Sequence, residues 1–107
     1  MTEAEFQADL IRLAGLTGYE VMHVRTSIGR RDGERAWQTT TSIKGWPDLF
    51  VFGVKGHFAV EVKSEKGRLS PEQVRVIDSL RASGLKVYVW RPSDLDEAIA
   101  VFRGGPS

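Results

Sequence analysis

The sequence contains no cysteine, no long run of hydrophobic residues and almost no net charge, and each absence excludes a class of protein. Without cysteine the chain has neither a disulfide framework nor a zinc site built on thiolates, a composition that fits an intracellular protein. No apolar run approaches the roughly 18 residues that a membrane-spanning helix needs, and the N-terminus lacks the apolar region of a signal peptide. We therefore expect a soluble, cytoplasmic protein, bacterial or made in a virus-infected host, without a membrane partner.

The formal net charge of +1, from 15 basic and 14 acidic residues, does not by itself indicate a nucleic-acid-binding protein. The basic residues are nevertheless clustered, and clusters of one sign create a local positive field even when the total charge is near zero. Two solvated loops would explain the same clusters. The candidate nucleic-acid contacts are Arg25, Arg30, Arg31, Arg35 and Lys44 in one stretch, and Lys66 and Arg68 in another.

Hydrophobic periodicity and capping signals predict three helices and four strands in the order α-β-β-β-α-β-α. The second helix opens at the S-P-E-Q segment (70–73). Its expected buried stripe consists of Val74, Ile77 and Leu80, with Val76 alongside. Ser93 is the expected N-cap of the last helix. The predicted elements are a helix at 2–16, strands at 19–24, 48–52, 57–63 and 85–90, a helix from 70 to 84, and a helix at 94–102.

The predicted fold class is α/β, with a mixed sheet. The first three strands are close enough in sequence for an antiparallel meander, and the helix before the fourth strand makes a crossover that places it parallel to the third. A chain of 107 residues fits one domain, which we place at residues 1–103. Residues 26–45 lack periodicity and are interpreted as a mobile loop, and residues 104–107 as a tail.

The segment Glu61-Val62-Lys63 is the first chemical signal in the sequence. Alternation along a strand puts Glu61 and Lys63 on the same face. A carboxylate there can hold a hard divalent cation, while the lysine can orient a water or neutralise phosphate charge. Taken alone, however, this pattern is common on solvated strand surfaces.

The segment Gly45-Trp46-Pro47-Asp48 is the second signal, because it directly precedes a predicted buried strand. A tight turn joins this strand to the next, so antiparallel pairing can bring Asp48 and Glu61 side by side. Two carboxylates and a lysine are costly to assemble unless a cation neutralises them. The alternative is a turn-forming Pro-Asp pair, which is frequent in loops.

Glu3 and Gln73 are two further candidates. Glu3 shares a helix face with the apolar Phe6, whereas Glu5 is already explained as the capping-box partner of the N-cap, so we prefer Glu3 as a carboxylate of the site. Glu3 is otherwise explained by a favourable interaction with the helix dipole. Gln73 is explained as the N3 residue of a capping box, but it also follows the Glu61 strand closely enough to contact the lysine or a phosphate.

Together these residues resemble the VRR-NUC branch of the PD-(D/E)XK nuclease superfamily, whose restriction-endonuclease-like core has the order α-β-β-β-α-β. The resemblance rests on Glu3 and on the motifs at 45–48, 61–63 and 70–73, and it extends from about Thr2 to Trp90. It implies catalytic roles for Asp48, Glu61, Lys63, Glu3 and Gln73. It also implies that Mg²⁺ or Mn²⁺ is held by Asp48, Glu61, the backbone carbonyl of Val62 and, as a further carboxylate, Glu3.

The function that the resemblance implies is metal-dependent DNA endonuclease activity, that is, phosphodiester hydrolysis without a small-molecule cofactor. Family members of this size are similar to Holliday-junction resolvases, so we expect a homodimer acting on branched DNA in repair or recombination. Trp37 and Trp46 are candidates to stack on an unpaired base. Two alternatives stay open: a non-cleaving DNA-binding or regulatory module with a nuclease-like fold, and a dimeric interaction protein whose charged residues are all on its surface.

Overall fold

The structure, a computed structural model, describes residues 1–24 and 43–106. Most of the loop predicted at 26–45 lies outside the described residues, as do four of the basic candidates and one tryptophan: Arg25, Arg30, Arg31, Arg35 and Trp37. The elements are α1 (Glu3–Leu16), β1 (Glu20–His23), β2 (Leu49–Gly53), β3 (Gly56–Val62), α2 (Pro71–Ala82), β4 (Val87–Trp90), a 3₁₀ helix (Pro92–Asp94) and α3 (Leu95–Gly104). No helix in these ranges is long and apolar enough to span a membrane.

The four strands form one mixed sheet in the order β1-β2-β3-β4. β2 pairs antiparallel with both β1 and β3, whereas β3 and β4 are parallel, so the predicted α/β class, meander and crossover are confirmed. In the antiparallel register of β2 and β3, Leu49 lies opposite Val60. In the parallel pair, Val62 lies beside Trp90.

Helices cover the two faces of the sheet unequally. α1 and α3 pack on one face, where Phe6 and Phe102 join β3 side chains such as Phe58 in the larger core cluster. α2 packs on the other face, where Ile77 contacts Ala59 and Val87 in a smaller cluster. Alternation along β3 therefore sends Glu61 and Lys63 to the α2 side of the sheet.

Two local predictions about the helices are wrong. Val74 is exposed, whereas Ile77 and the adjacent Val76 are buried, because the helix turns its Val76 side towards the loop that carries Trp46. Ser93 does not cap the last helix. It lies within the 3₁₀ helix, and its hydroxyl donates to Glu65 Oε2 at 2.6 Å.

Candidate active site

The ends of β2 and β3 bring Asp48 and Glu61 together. Continuing the register of Leu49 opposite Val60 by one position places Asp48 opposite Glu61. Asp48 is fixed there because its Oδ2 atom accepts a hydrogen bond from the Val62 amide at 2.9 Å. The sequence-based expectation that the two carboxylates lie side by side is therefore met in the structure.

Glu61 is only 2% exposed, and it is the one charged residue among the buried residues of the described ranges. Its Oε2 atom accepts a hydrogen bond from Gln73 Nε2 at 3.0 Å and lies 3.8 Å from Lys63 Nζ. Its Oε1 atom is buried and has no hydrogen-bond partner. A buried carboxylate oxygen without a partner is energetically costly when it is ionised, so this oxygen is suited to carry a proton or to bind a cation.

The surroundings of Glu61 disfavour its ionised form. Burial, as the largest cause, and the neighbouring Asp48 carboxyl together raise the pKa of Glu61 to about 8. Glu3 acts in the same direction, and the Lys63 ammonium opposes the shift without cancelling it. Desolvation therefore outweighs the ion pair, and the carboxyl is held as an acid at neutral pH unless a cation enters the site.

Lys63 extends from the end of β3 towards Glu61. Its amide donates to the Trp90 carbonyl at 3.0 Å, which fixes the backbone, and its side chain is 13% exposed. A Cβ added to Gly67 would lie 3.5 Å from Lys63 Cδ, so the turn after β3 runs alongside the lysine stem. The ammonium thus lies beside the buried Glu61 carboxyl.

Gln73 forms the predicted capping box, and its second contact is with Glu61 instead of with the lysine. Its Oε1 atom accepts from the Ser70 amide at 2.9 Å, and the Ser70 hydroxyl accepts from the Gln73 amide at 3.1 Å, which is a capping box. Its Nε2 atom is left to donate to Glu61. The first turn of α2 and the buried carboxylate are thereby connected through one side chain.

The two glutamates of the first helix have separate roles. Glu5 completes the α1 capping box, in which its Oε1 atom accepts from the Thr2 amide at 2.7 Å, and this bond lowers the pKa of Glu5. Glu3 is exposed instead of turned into the core, because Phe6 is the first buried residue of α1. Its charge is the smallest of the causes that raise the pKa of Glu61, and the choice of Glu3 over Glu5 stays a prediction.

Gly45 is a residue of the site whose role the sequence did not reveal. It has a φ of +96°, and a Cβ added there would lie 2.6 Å from the carbonyl carbon of Glu72. Only glycine allows this backbone to approach the first turn of α2 so closely. The signal in the sequence was Gly45 directly ahead of Trp46-Pro47-Asp48, but nothing local indicated which element it would contact.

The turn after β3 is held by residues that are distant in sequence. Arg91 Nη2 donates to the Gly67 carbonyl at 2.7 Å, and the Ser93 amide donates to Glu65 Oε1 at 3.0 Å. These long-range bonds had no counterpart in the sequence motifs. They fix the turn that also bears the exposed candidates Lys66 and Arg68.

Lys44 is the remaining basic candidate in the described ranges, and it is exposed. The pKa of Glu72 is held below its usual range, first by its own backbone amide and then by the Lys44 ammonium, with a smaller contribution from Arg75. Lys44 and Arg75 therefore lie near the first turn of α2. None of the three exposed candidates belongs to the buried cluster around Glu61.

The donors at Asp48 and Glu61 fit a magnesium ion better than a metal that needs many protein ligands. No group of three or more His, Cys, Asp or Glu side chains within residues 1–24 and 43–106 is arranged to hold a metal. Mg²⁺ is usually bound through one or two carboxylates and keeps several waters. A carboxylate pair with a free buried oxygen matches that requirement, with the Val62 carbonyl as the expected backbone ligand.

Comparison with known proteins gives one family match. The sequence matches the model of the VRR-NUC domain over residues 17–94. The matched range contains Asp48, Glu61, Lys63 and Gln73, whereas Glu3 precedes it. No curated protein matches the chain.

Proposed function

The chain belongs to the VRR-NUC domain family and carries a nuclease-type domain, and on that premise we propose that it is a Mg²⁺- or Mn²⁺-dependent DNA endonuclease. Asp48 and Glu61 are the proposed metal-binding side chains, Lys63 is the proposed catalytic lysine, and Gln73 positions Glu61. The observation that carries this proposal is the buried Glu61 Oε1 atom, which has no partner although Asp48 and Lys63 are close by.

A divalent ion bound to the two carboxylates would polarise the scissile phosphate and lower the pKa of a bound water. Lys63 is suited to orient the attacking water or to neutralise charge that develops on the phosphate, because its ammonium lies 3.8 Å from Glu61 Oε2. In the reaction, a P–O bond forms to the water oxygen and one ester P–O bond breaks. The hydrogen bond from the Val62 amide to Asp48 Oδ2 orients the Asp48 carboxylate for its proposed role as a metal ligand.

Ionisation of Glu61 links this chemistry to metal binding. Because its pKa is raised to about 8, the carboxyl must release a proton before it can hold a cation at neutral pH. Gln73 Nε2 donates to the Oε2 atom, so Oε1 is the oxygen that is left to bind the cation. The metal-binding proposal therefore includes release of about one proton per ion bound.

Structure-selective cutting of branched DNA and homodimerisation are part of the same proposal. Each chain has one candidate site, whereas a four-way junction requires two symmetric cuts, which two copies related by a two-fold axis would supply. The exposed Lys44, Lys66 and Arg68 are the proposed phosphate contacts in the described ranges, joined by Arg25, Arg30, Arg31 and Arg35 from the sequence.

A non-cleaving DNA-binding module is the second candidate function. The observation in its favour is that no third acidic or histidine side chain completes a metal-holding group within the described ranges. A module of this kind would bind DNA through its basic residues and would keep Glu61 protonated.

The test is cleavage of labelled four-way junction, flap and linear duplex DNA in Mg²⁺, Mn²⁺ or EDTA, with the Lys63→Ala variant beside the wild type. We expect cleavage that is lost in EDTA and in the variant. Paired symmetric cuts in the junction would support the dimeric resolvase, whereas cutting of flaps or duplex alone would support the chemistry and contradict the resolvase. Binding of every substrate without cleavage in either metal would favour the non-cleaving module.

A further inference from the structure

Trp46 is a large aromatic residue that neither core cluster uses. Trp90 is completely buried in the larger cluster, where it contacts Tyr88 and Phe102. Trp46 belongs to neither cluster, and its ring has no aromatic partner among residues 1–24 and 43–106. Its side chain is half-buried, so stability of the core does not account for it.

The backbone on both sides of Trp46 is fixed. Gly45 approaches the first turn of α2 more closely than any other residue type would allow, and Pro47 is fully buried and restricts its own φ. Two residues further on, Asp48 is anchored to the Val62 amide. The indole is therefore carried on a rigid segment. The backbone of Trp46 lies within about 7 Å of the backbone of Asp48, a residue of the candidate active site.

A cavity of about 160 Å³ lies between Trp46 and α2. It is lined by Ile43, Trp46, Arg75, Val76, Ser79 and Leu80. Its walls thus combine an indole and aliphatic side chains with one guanidinium and one hydroxyl, and they include no carboxylate. Arg75 is exposed, and within the described ranges its guanidinium donates no hydrogen bond, although its charge helps to lower the pKa of Glu72.

We infer that this cavity binds an unpaired nucleobase of the DNA substrate, next to the phosphate held at Asp48 and Glu61. A flat, apolar ring with hydrogen-bond acceptors at its edge matches an indole wall, a guanidinium and a hydroxyl. Base stacking on aromatic side chains is tolerant of sequence, because every base has a π-face. This inference rests on the proposed nuclease function, because that function supplies the DNA.

Binding in this cavity would select the form of the DNA. A paired base inside a duplex has both faces covered by its neighbours, so it reaches an indole only after it is unstacked, at an energetic cost. A base that is already unpaired, at a flap, a fork or the centre of a junction, avoids that cost. Trp46 would then favour branched DNA by recognising the unpaired nucleotide beside the cut.

The inference is tested by equilibrium binding in EDTA, where no cleavage takes place. A forked DNA is compared with copies in which one unpaired nucleotide at a time is replaced by an abasic residue. For the wild type, we expect one abasic position to weaken binding by about 5-fold to 100-fold. Trp46→Ala should bind the intact fork as weakly as the wild type binds that abasic fork, with no further loss at that position. Trp46→Phe should retain the abasic effect, because it keeps a ring.

Two further variants keep the test decisive. Arg75→Ala lies at an exposed position and should reduce the abasic effect even if Trp46→Ala fails to fold. Val74 is also exposed on α2, and the Val74→Ala variant should leave the abasic effect unchanged. The inference is overturned if no abasic position weakens wild-type binding, if the wild type does not bind the fork, or if the effect persists in both the folded Trp46→Ala and Arg75→Ala variants.

A separate cleavage assay in Mg²⁺ distinguishes failure of this inference from failure of the proposed function. A wild type that does not cut, but shows the Trp46-dependent abasic effect, supports the base-binding cavity and contradicts the enzyme. A wild type that cuts, but shows no abasic effect, supports the enzyme and contradicts the cavity.

Discussion

The buried carboxylate of Glu61 accepts a 3.0 Å hydrogen bond from the same Gln73 side chain that caps α2. The two polar atoms of the Gln73 side chain bind different partners: Oε1 accepts from the Ser70 amide, and Nε2 donates to the Glu61 carboxylate. A displacement of the first turn of α2 would therefore move the hydrogen-bond donor of the Glu61 carboxylate. A capping residue of α2 therefore also orients the carboxylate on which the proposed metal site depends.

Substitutions of Gln73 should separate its two roles. Gln73→Ala removes both hydrogen bonds, so we expect a loss of stability of about 1 kcal/mol from the cap together with weaker Mg²⁺ binding. Gln73→Glu keeps a capping-box side chain but places a second carboxylate beside Glu61. It should therefore disturb the metal-free protein by repulsion at Glu61 while the cap survives. Thermal unfolding with and without Mg²⁺ measures both effects.

A matched control for these variants is Val74→Ala, which also lies in the first turns of α2 but is exposed. It should change neither Mg²⁺ binding nor the cap. If Gln73→Ala bound Mg²⁺ as tightly as the wild type, the proposed positioning role of Gln73 would be wrong.

The raised pKa of Glu61 predicts how stability depends on pH. The folded carboxyl keeps its proton up to a pKa of about 8, whereas the unfolded chain loses it near 4.5. Between these values the folded state binds more protons, so the free energy of unfolding should fall as pH rises, by at most about 1.4 kcal/mol per pH unit. Below pH 4.5 the contribution is fully present, and above pH 8 it is lost.

Glu61→Gln isolates that dependence, because its amide remains neutral and resembles the protonated carboxyl in shape. Calorimetric unfolding in EDTA from pH 5 to pH 8.5 should show a decline for the wild type that is smaller in the variant. Added Mg²⁺ should stabilise the wild type, most strongly towards pH 8, and leave Glu61→Gln nearly unaffected. Equal slopes for the two proteins would show that Glu61 does not titrate in this range.

The sequence was sufficient for the pairing of Asp48 with Glu61, because two strands joined by a tight turn have a register that a side-chain pattern restricts. The sequence was insufficient to predict the burial of Glu61, because the alternating pattern of a strand does not show whether one or both faces of the sheet are covered. That outcome depends on α2 folding back over β3, a tertiary contact. Ser93 illustrates the same limit: it has the type of an N-cap, but Glu65 is the acceptor that its hydroxyl meets.

Glu3 and Glu5 provide a comparison within one helical turn. Glu3→Gln removes a charge that raises the pKa of Glu61, so that pKa should fall slightly while the α1 capping box remains. Glu5→Gln keeps a capping-box side chain, whereas Glu5→Ala removes it and should cost about 1 kcal/mol of stability without changing Mg²⁺ binding. Calorimetric Mg²⁺ titration and thermal unfolding of the three variants distinguish these effects. A larger change in Mg²⁺ affinity for Glu5→Ala than for Glu3→Gln would contradict the choice of Glu3.

Lys63→Met should separate the charge of the proposed catalytic lysine from its packing. Methionine retains an unbranched stem beside the Gly67 turn but lacks the ammonium, so we expect the fold and DNA binding in EDTA to persist. Metal-dependent cleavage should fall by at least about 100-fold, the usual contribution of a positioned proton-transfer or charge-stabilising group. Lys86→Met, an exposed lysine ahead of β4, is the matched control and should cleave at the wild-type rate. Because Lys63 opposes the rise in the pKa of Glu61, its removal should also move Glu61 ionisation to higher pH. A Lys63→Met variant that cuts DNA as fast as Lys86→Met would exclude the ammonium from the reaction and leave only the carboxylate pair to carry it.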